Sequence, residues 1–323
     1  MRDNHGIIIP WEEEIFPFPW RERFPGIEGF HLEIGFGKGE FLLHLARIFP
    51  RSVVLGIDIS SRSVLEAYKR IKKEGRDNVF LLRGEGRFLL KNFFPSFFLS
   101  GIYINFPDPW PKERHASRRL IKEDFIRIVS QKLRRGGILS IKTDWDSYAE
   151  DIERILLRFP EFRKSSPPED MLNYSTKYER KALKEGREIH WFLMEKIRDI
   201  RYSLNRYVRI YPMPHVVFEG KIVPEEVAEK FPLNQVERGN IKIRFSSPFL
   251  SPRERKVLLP FILIEPDISQ ELAILIAPHG KGWIIKVSSL GKPLVTEGVK
   301  EAVKSVWEWL LQSYPLKVVS STL

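Results

Sequence analysis

The chemistry-bearing residues of this chain gather in a few short segments. The densest is Asn105-Phe106-Pro107-Asp108-Pro109-Trp110-Pro111-Lys112-Glu113-Arg114-His115. It sets a carboxylate, an indole and several cations on a loop stiffened by Pro107, Pro109 and Pro111. Proline fixes φ and removes a backbone donor, so this loop extends neither a helix nor a central strand. A rigid loop of that make-up can hold a planar base against a charged group, which reads as an enzyme acting on nucleic acid. A second segment, Glu33-Ile34-Gly35-Phe36-Gly37-Lys38-Gly39, places glycines where a backbone must turn sharply and approach a ligand. Its spacing is G-x-G-x-G, with Glu40 where a dinucleotide fingerprint wants glycine. Glu33 would also crowd a pyrophosphate at the helix N-terminus. A cationic ligand such as S-adenosylmethionine tolerates that carboxylate, so it is favoured over a nicotinamide dinucleotide. Asp58 stands where a carboxylate can accept both hydroxyls of a ribose, and Glu85 where one can accept from an adenine amino group.

These groups need strands to place them. Runs at 30–34, 53–58, 79–82, 101–104 and 138–142 are strand-like, and 40–46 has helical spacing. Ser60 or Ser61 can cap a helix running to about Lys73. A further amphipathic helix is expected over 121–133, ending at Arg134-Arg135-Gly136-Gly137, where cations and glycine suit a helix C-terminus. Repeated βα units imply an α/β fold with a mostly parallel, doubly wound sheet. The chemical residues then fall at the carboxyl ends of its strands, where open α/β sheets bind ligands. Residues 1–28, rich in proline and aromatics, read as an irregular arm, and 159–188 as a long polar loop before a late strand at 189–195. From about 200 the pattern changes to strands at 207–211, 241–245, 257–264, 272–277 and 283–287, then one helix over 297–311. This divides the chain into an arm (1–28), an α/β domain (29–199) and a small C-terminal α+β domain (200–323).

Two more segments complete the set: Thr143-Asp144-Trp145 directly after the fifth strand, and Thr176-Lys177-Tyr178-Glu179-Arg180 in the polar loop. Taken in order, the segments resemble the bacterial tRNA (guanine-N7-)-methyltransferase family. That family carries an E-x-G-x-G-x-G loop, a F-x-D-P-W-x-K-x-R-H-x-x-R-R segment, a T-D-x-x-x-Y run and a late T-x-x-E. Residues 106–119 match the second, 143–148 the third and 176–179 the fourth, and the resemblance spans roughly 30–195. It implies a Rossmann-like class I methyltransferase. Glu33, Gly35, Gly37, Asp58, Glu85 and Asp108 would line the adenosylmethionine site. Lys112, Asp144, Thr176 and Glu179 would hold the target guanosine, at position 46 of the tRNA variable loop, with Arg114 as a further substrate contact. Asp58 and Glu85 each stand where the family usually has the other acidic residue, so charge is kept. Asp108, and secondarily Asp144, would stabilise the charge that develops on the base. Asp144 or Glu179 would accept from the guanine edge, and Arg118 and Arg119 would meet phosphates.

Composition agrees with such a partner. The 323 residues are 43% hydrophobic and 29% charged, with a net charge of +11, so the surface attracts polyanions. Cysteine is absent, which excludes disulfides, thiolate metal sites and a cysteine nucleophile. No apolar run is long enough to span a bilayer, no signal peptide opens the chain, and a cytoplasmic protein without an obligate protein partner is expected. The lone histidines His5, His44, His215 and His279 show no metal-ligand spacing. Beyond 200, the cations Arg198, Arg201, Arg206, Arg209, Lys221, Lys242, Arg244, Arg253, Arg255 and Lys256 suggest a further grip on tRNA. Two other readings stand beside the main one. The first is an exocyclic-amino methyltransferase, because Asn105-Phe106-Pro107-Asp108 faintly resembles an N-P-P-Y motif. The second is a non-catalytic RNA-binding protein.

Overall fold

In the computed structural model the described residues are 6–323 apart from 167–168, 173, 205–207 and 290–292. His5 and Arg206, considered above, lie outside them. The chain separates into one unit up to Tyr207 and another from Val208.

The arm of the first unit carries a short helix, α1 (Trp20–Arg23). Five parallel strands follow: β1 (Phe30–Ile34), β2 (Val53–Asp58), β3 (Val79–Arg83), β4 (Leu99–Asn105) and β5 (Leu133–Thr143). β1 is buried along its whole length, as a parallel strand covered on both faces must be. The helices between them are α2 (Glu40–Ile48), α3 (Ser61–Glu74), α4 (Gly86–Phe93) and α5 (Glu123–Lys132). Ser60 caps α3 by accepting from the Ser63 N–H, and Gly75 ends it in the left-handed conformation. After β5 come α6 (Asp146–Leu156), β6 (Phe162–Lys164), α7 (Glu169–Leu172), α8 (Lys177–Lys184) and β7 (His190–Lys196). The sheet order is β3-β2-β1-β4-β5-β7-β6, with β7 antiparallel between β5 and β6. This is the expected doubly wound, mostly parallel Rossmann-like sheet. α2 and α3 cover the face that carries Val54, Leu81 and Tyr103. On the other face the arm's Trp20 packs against Phe30, Phe93 and Phe94, with Trp20 and Phe94 stacked at 5.1 Å.

Two expectations fail here. Arg134-Arg135-Gly136-Gly137 does not close a helix, since α5 stops at Lys132 and β5 begins at once. The pairing jumps from Leu99↔Leu133 to Gly101↔Ile138, and Gly136 takes φ +75°, so these residues bulge out of the ladder near the start of β5. The polar stretch 159–188 is not a structureless loop but holds β6, α7 and α8. α8 is short and, among its described side chains, Ala182 alone is buried, so hydrophobic periodicity hides it; its start is written in a capping box at Thr176 and Glu179.

The second unit is antiparallel. Its elements are β8 (His215–Glu219), α9 (Pro224–Lys230), β9 (Gln235–Arg238), β10 (Ile241–Phe245), β11 (Phe249–Ser251), β12 (Lys256–Ile264), β13 (Ser269–His279), β14 (Gly282–Val287), α10 (Glu297–Ser313) and β15 (Lys317–Ser321). The order is β15-β8-β14-β13-β12-β10-β9, with β11 on β12. The buried stripe of α10, including Val299, Val303, Val306 and Leu310, packs on Leu259, Phe261 and Leu263 of β12 and their neighbours. No strand forms over 208–211, and Tyr207 lies outside the described residues; Pro212 and Pro214 follow at once and withhold ladder donors.

Candidate active site

β1 leads to β2 and β3 on one side, while β4 and β5 lie on the other, so the strand order reverses between β1 and β4. Loops leaving neighbouring strands there diverge and open a crevice. The glycine loop leaves β1 and the Asp108 loop leaves β4. Gly35, Gly37 and Gly39 all have positive φ. At Gly39 a Cβ would also stand 2.8 Å from that of Ala67, so both conformation and space demand glycine.

Asp58 ties the loop down. Its carboxylate accepts from the Gly37 N–H at 2.9 Å and the Ser60 N–H at 2.8 Å. Each oxygen keeps a further lone pair, so a ribose contact is compatible with this role. Glu85 is the N-cap of α4 and accepts from the Arg87 N–H (2.9 Å) and Phe88 N–H (2.5 Å). Its side chain stands exposed at the end of β3. Glu33 is the unusual member, only 2% exposed. Asn105 Nδ2 donates to its Oε1 at 3.1 Å, which joins the ends of β1 and β4, while its Oε2 has no partner. Burial, reinforced by the Asp58 charge, pushes the Glu33 carboxyl up to about 8 against the pull of the Asn105 bond. A buried carboxyl with a free oxygen suits a cation arriving in the cleft.

Asp108 is exposed on its loop, as are Lys112 and Arg114. Phe106 (φ +52°) and Trp110 (φ +44°) both sit in the left-handed region, a strained choice for aromatic residues. Three contacts hold that shape. The Phe106 N–H donates to Lys142 O at 2.8 Å. Arg118 lies over the half-buried Trp110 ring at 4.9 Å, with the His115 ring edge-on to it at 5.9 Å. Arg119 donates from Nε to Pro109 O at 2.8 Å, pairs with Asp151 of α6 and covers the face of Tyr148. The expected phosphate role of Arg119 does not hold, because its side chain is 9% exposed and committed inward.

The remaining motif residues are paired with cations that sequence reasoning missed. Asp144 pairs with Arg187, whose Nε is buried without a partner. Glu179 pairs with Lys142 at 3.1 Å, and Lys142 lies 4.1 Å from the centre of the Trp191 ring. Thr176 Oγ1 accepts from the Glu179 N–H at 3.1 Å, and Glu179 accepts in return from the Thr176 N–H at 3.4 Å. Lys142 had a visible signal, a charge at the end of a buried strand; Arg187 had none. One cleft is lined by Glu33, Gly35, Phe36, Lys38, Glu40, Phe41, Asn105, Thr176 and Tyr178. Over its edge the Phe106 and Tyr178 rings stack at 6.2 Å. The cleft thus brings together members of three motifs, while Gly37, Asp58, Glu85, Asp108, Lys112, Arg114 and Glu179 do not line it. Asp144 lines a separate hollow of ≈ 630 Å³ with Trp145, Asp146, Arg187 and His190. Among the described residues no group of acidic residues and histidines is placed to hold a metal, and no helix is long and apolar enough to cross a membrane.

A family profile described as "Putative methyltransferase" matches residues 28–192. A tRNA (guanine-N(7)-)-methyltransferase of Thermus thermophilus is 35% identical over 318 residues, covering 97% of this chain and 98% of that protein. One of the same name from Thermotoga maritima is 30% identical over 91% of this chain and 93% of its own length. One from Nitrosococcus oceani is 36% identical but aligns with only 51% of this chain. Among solved structures, the aminoglycoside resistance methyltransferase NpmB1 covers 55% of this chain and 92% of its own at 16% identity and a TM-score of 0.38.

Proposed function

Because the chain belongs to the tRNA (guanine-N7-)-methyltransferase family, we infer that the cleft between β1 and β4 is where its reaction takes place. The protein transfers the methyl group of S-adenosylmethionine to N7 of guanine in tRNA. The target is guanosine 46 of the variable loop, and the place of work is the cytoplasm, with tRNA as the one macromolecular partner required. The observation that carries the assignment of the site is the Glu33 carboxyl, buried, bridged to Asn105 and left with a free oxygen at the point of sheet reversal.

When bound, adenosylmethionine supplies a methyl group made electrophilic by its sulfonium. Glu33 would face the cationic end of that ligand, with Gly35 and Gly37 giving backbone room, Asp58 the ribose and Glu85 the adenine. Guanine N7 carries a lone pair and no proton, so no residue need act as a general base. The chain's task is placement, which is the proximity contribution to rate. Asp108, exposed on its proline-stiffened loop, would stand near the base and stabilise the positive charge it gains. Lys112 and Arg114 would meet phosphates. Asp144, Thr176 and Glu179 would hold the guanosine, Asp144 or Glu179 accepting from its N1–H and N2–H₂ edge.

The test is methyl transfer from labelled adenosylmethionine to unfractionated tRNA, then nucleoside analysis. A 7-methylguanosine peak is expected, and with a single tRNA transcript as substrate it should disappear when guanosine 46 is replaced by adenosine. Label in another nucleoside overturns the chemistry, and persistence of the peak after replacement overturns the position.

A further inference from the structure

Lys142 is the penultimate residue of β5, is 4% exposed and sits between a carboxylate and an indole face. A buried ammonium loses most of its hydration, and an apolar side chain of similar volume usually serves a core as well or better. Its presence therefore calls for a reason beyond packing, and its partner supplies one. Glu179 reaches Lys142 Nζ with both oxygens, at 3.3 and 3.1 Å, while closing the capping box with Thr176. The turn that begins α8 is thus anchored to β5 through one ion pair. That turn places Thr176 and Tyr178 in the lining of the cleft. The same lysine's carbonyl accepts from the Phe106 N–H, so the Asp108 loop starts from the same residue. Lys142 stands where the two loops that frame the cleft are joined to the sheet.

We propose that Lys142 is a positioning residue: its ammonium holds the Glu179 carboxylate, and with it the Thr176–Tyr178 turn, in the place where the guanine edge is read. The proposal rests on the function inferred for this cleft. Lys142 touches neither donor nor base; it orients an acceptor that does. The tRNA should feel its loss and adenosylmethionine should not, because Glu33, Asp58 and the glycine loop keep their own bonds.

The experiment compares wild type with Lys142→Met, Lys142→Gln, Glu179→Gln and the double variant Lys142→Met/Glu179→Gln. Steady-state methylation of tRNA and calorimetric binding of adenosylmethionine are measured on the full chain. Lys142→Met should lower kcat/KM for tRNA on the order of tenfold to a hundredfold, the scale set by a misplaced contact. Adenosylmethionine affinity should stay at the wild-type value. Lys142→Gln, which keeps a donor toward Glu179, should recover part of the loss. The double variant should be no worse than the poorer single one, since both break one link. Wild-type kcat/KM in Lys142→Met, losses that multiply in the double variant, or a matching loss of adenosylmethionine affinity would each overturn the proposal. If Lys142→Met does not fold, Lys142→Gln decides alone, and wild-type kinetics there overturn it. A failure of the functional reading is separate, because wild type itself would then yield no 7-methylguanosine.

Discussion

The two units bury different things. Among the described residues, the second unit buries no ionisable side chain; its buried polar residues are Ser288 and Thr296. The first buries His31, Glu33, Lys91, Lys132, Lys142, Glu161 and Lys196, together with the phenols of Tyr103 and Tyr148. Taking an ion out of water costs several kcal/mol unless it is paired and hydrogen-bonded. The first unit therefore carries a cost that the second avoids, and the placement of the charges says why. Lys132 donates to Phe94 O, and Lys196 to Ser130 O and Leu133 O, so these two stitch together the segments that enter β4 and β5. Glu33 and Lys142 lie at the opposite ends of β1 and β5, by the cleft. One end of the sheet uses buried ionisable groups to hold backbone; the other uses them to line and frame the cleft. The second unit is an apolar body with its cations outside, such as Lys242 paired with Glu237 at 3.3 Å and Lys256 with Glu254 at 3.1 Å. Exposed pairs of that kind contribute little to stability and can be exchanged for phosphate.

That contrast can be broken by experiment. The largest effect is expected from Trp307→Ala, which empties a core position of α10 beneath Phe218. It should destabilise the second unit by about 3–5 kcal/mol in denaturant unfolding. Adenosylmethionine affinity should hold; a parallel loss would show that the units are not energetically separate. Glu33→Gln comes next. It should weaken adenosylmethionine binding on the order of tenfold to a hundredfold, the worth of a charged hydrogen bond, without lowering Tm. Lower Tm with normal affinity would move Glu33 to the architectural group.

The same variant has a signature in pH. The Glu33 carboxyl is raised from 4.5 to about 8, so the folded chain keeps a proton that the unfolded chain has lost. Its contribution to the stability of the ligand-free protein is present below about 4.5 and lost as pH rises through about 8. Glu33→Gln should flatten that decline in Tm, and an unchanged slope would refute the assignment. The smallest effect belongs to Lys242→Gln with Arg244→Gln. If both meet tRNA phosphates, the slope of log affinity against log salt should flatten by about 1–2. An unchanged slope would remove Lys242 and Arg244 from the contact with tRNA.

Much of the first unit is legible in the chain because parallel strands buried on both faces are written as unbroken apolar runs. The chemical loops are legible for a related reason: proline, glycine and indole at fixed spacing have few structural uses. α4 leaves no clear signal, being eight residues long with Lys91 and Asn92 on its buried side. α8 reads as loop because its hydrogen-bonded start, not its periodicity, defines it. In the second unit the long strands β12 and β13 are legible through alternation, while β9 and β11, at four and three residues, carry too little pattern and β15 is exposed along its whole length.

What the sequence determined alone was a set of chemical groups and the ends of strands that hold them: Glu33 before a glycine turn, Asp108 among prolines, Thr176 three residues before Glu179. Those follow from local rules of backbone conformation and hydrophobic period. The tertiary structure decided which charges meet. Lys142 finds Glu179 across 37 residues, Arg187 finds Asp144 across 43, and Asn105 finds Glu33 across 72. Such partnerships leave no local pattern, because they depend on which strands become neighbours and on the high cost of burying a charge that has none.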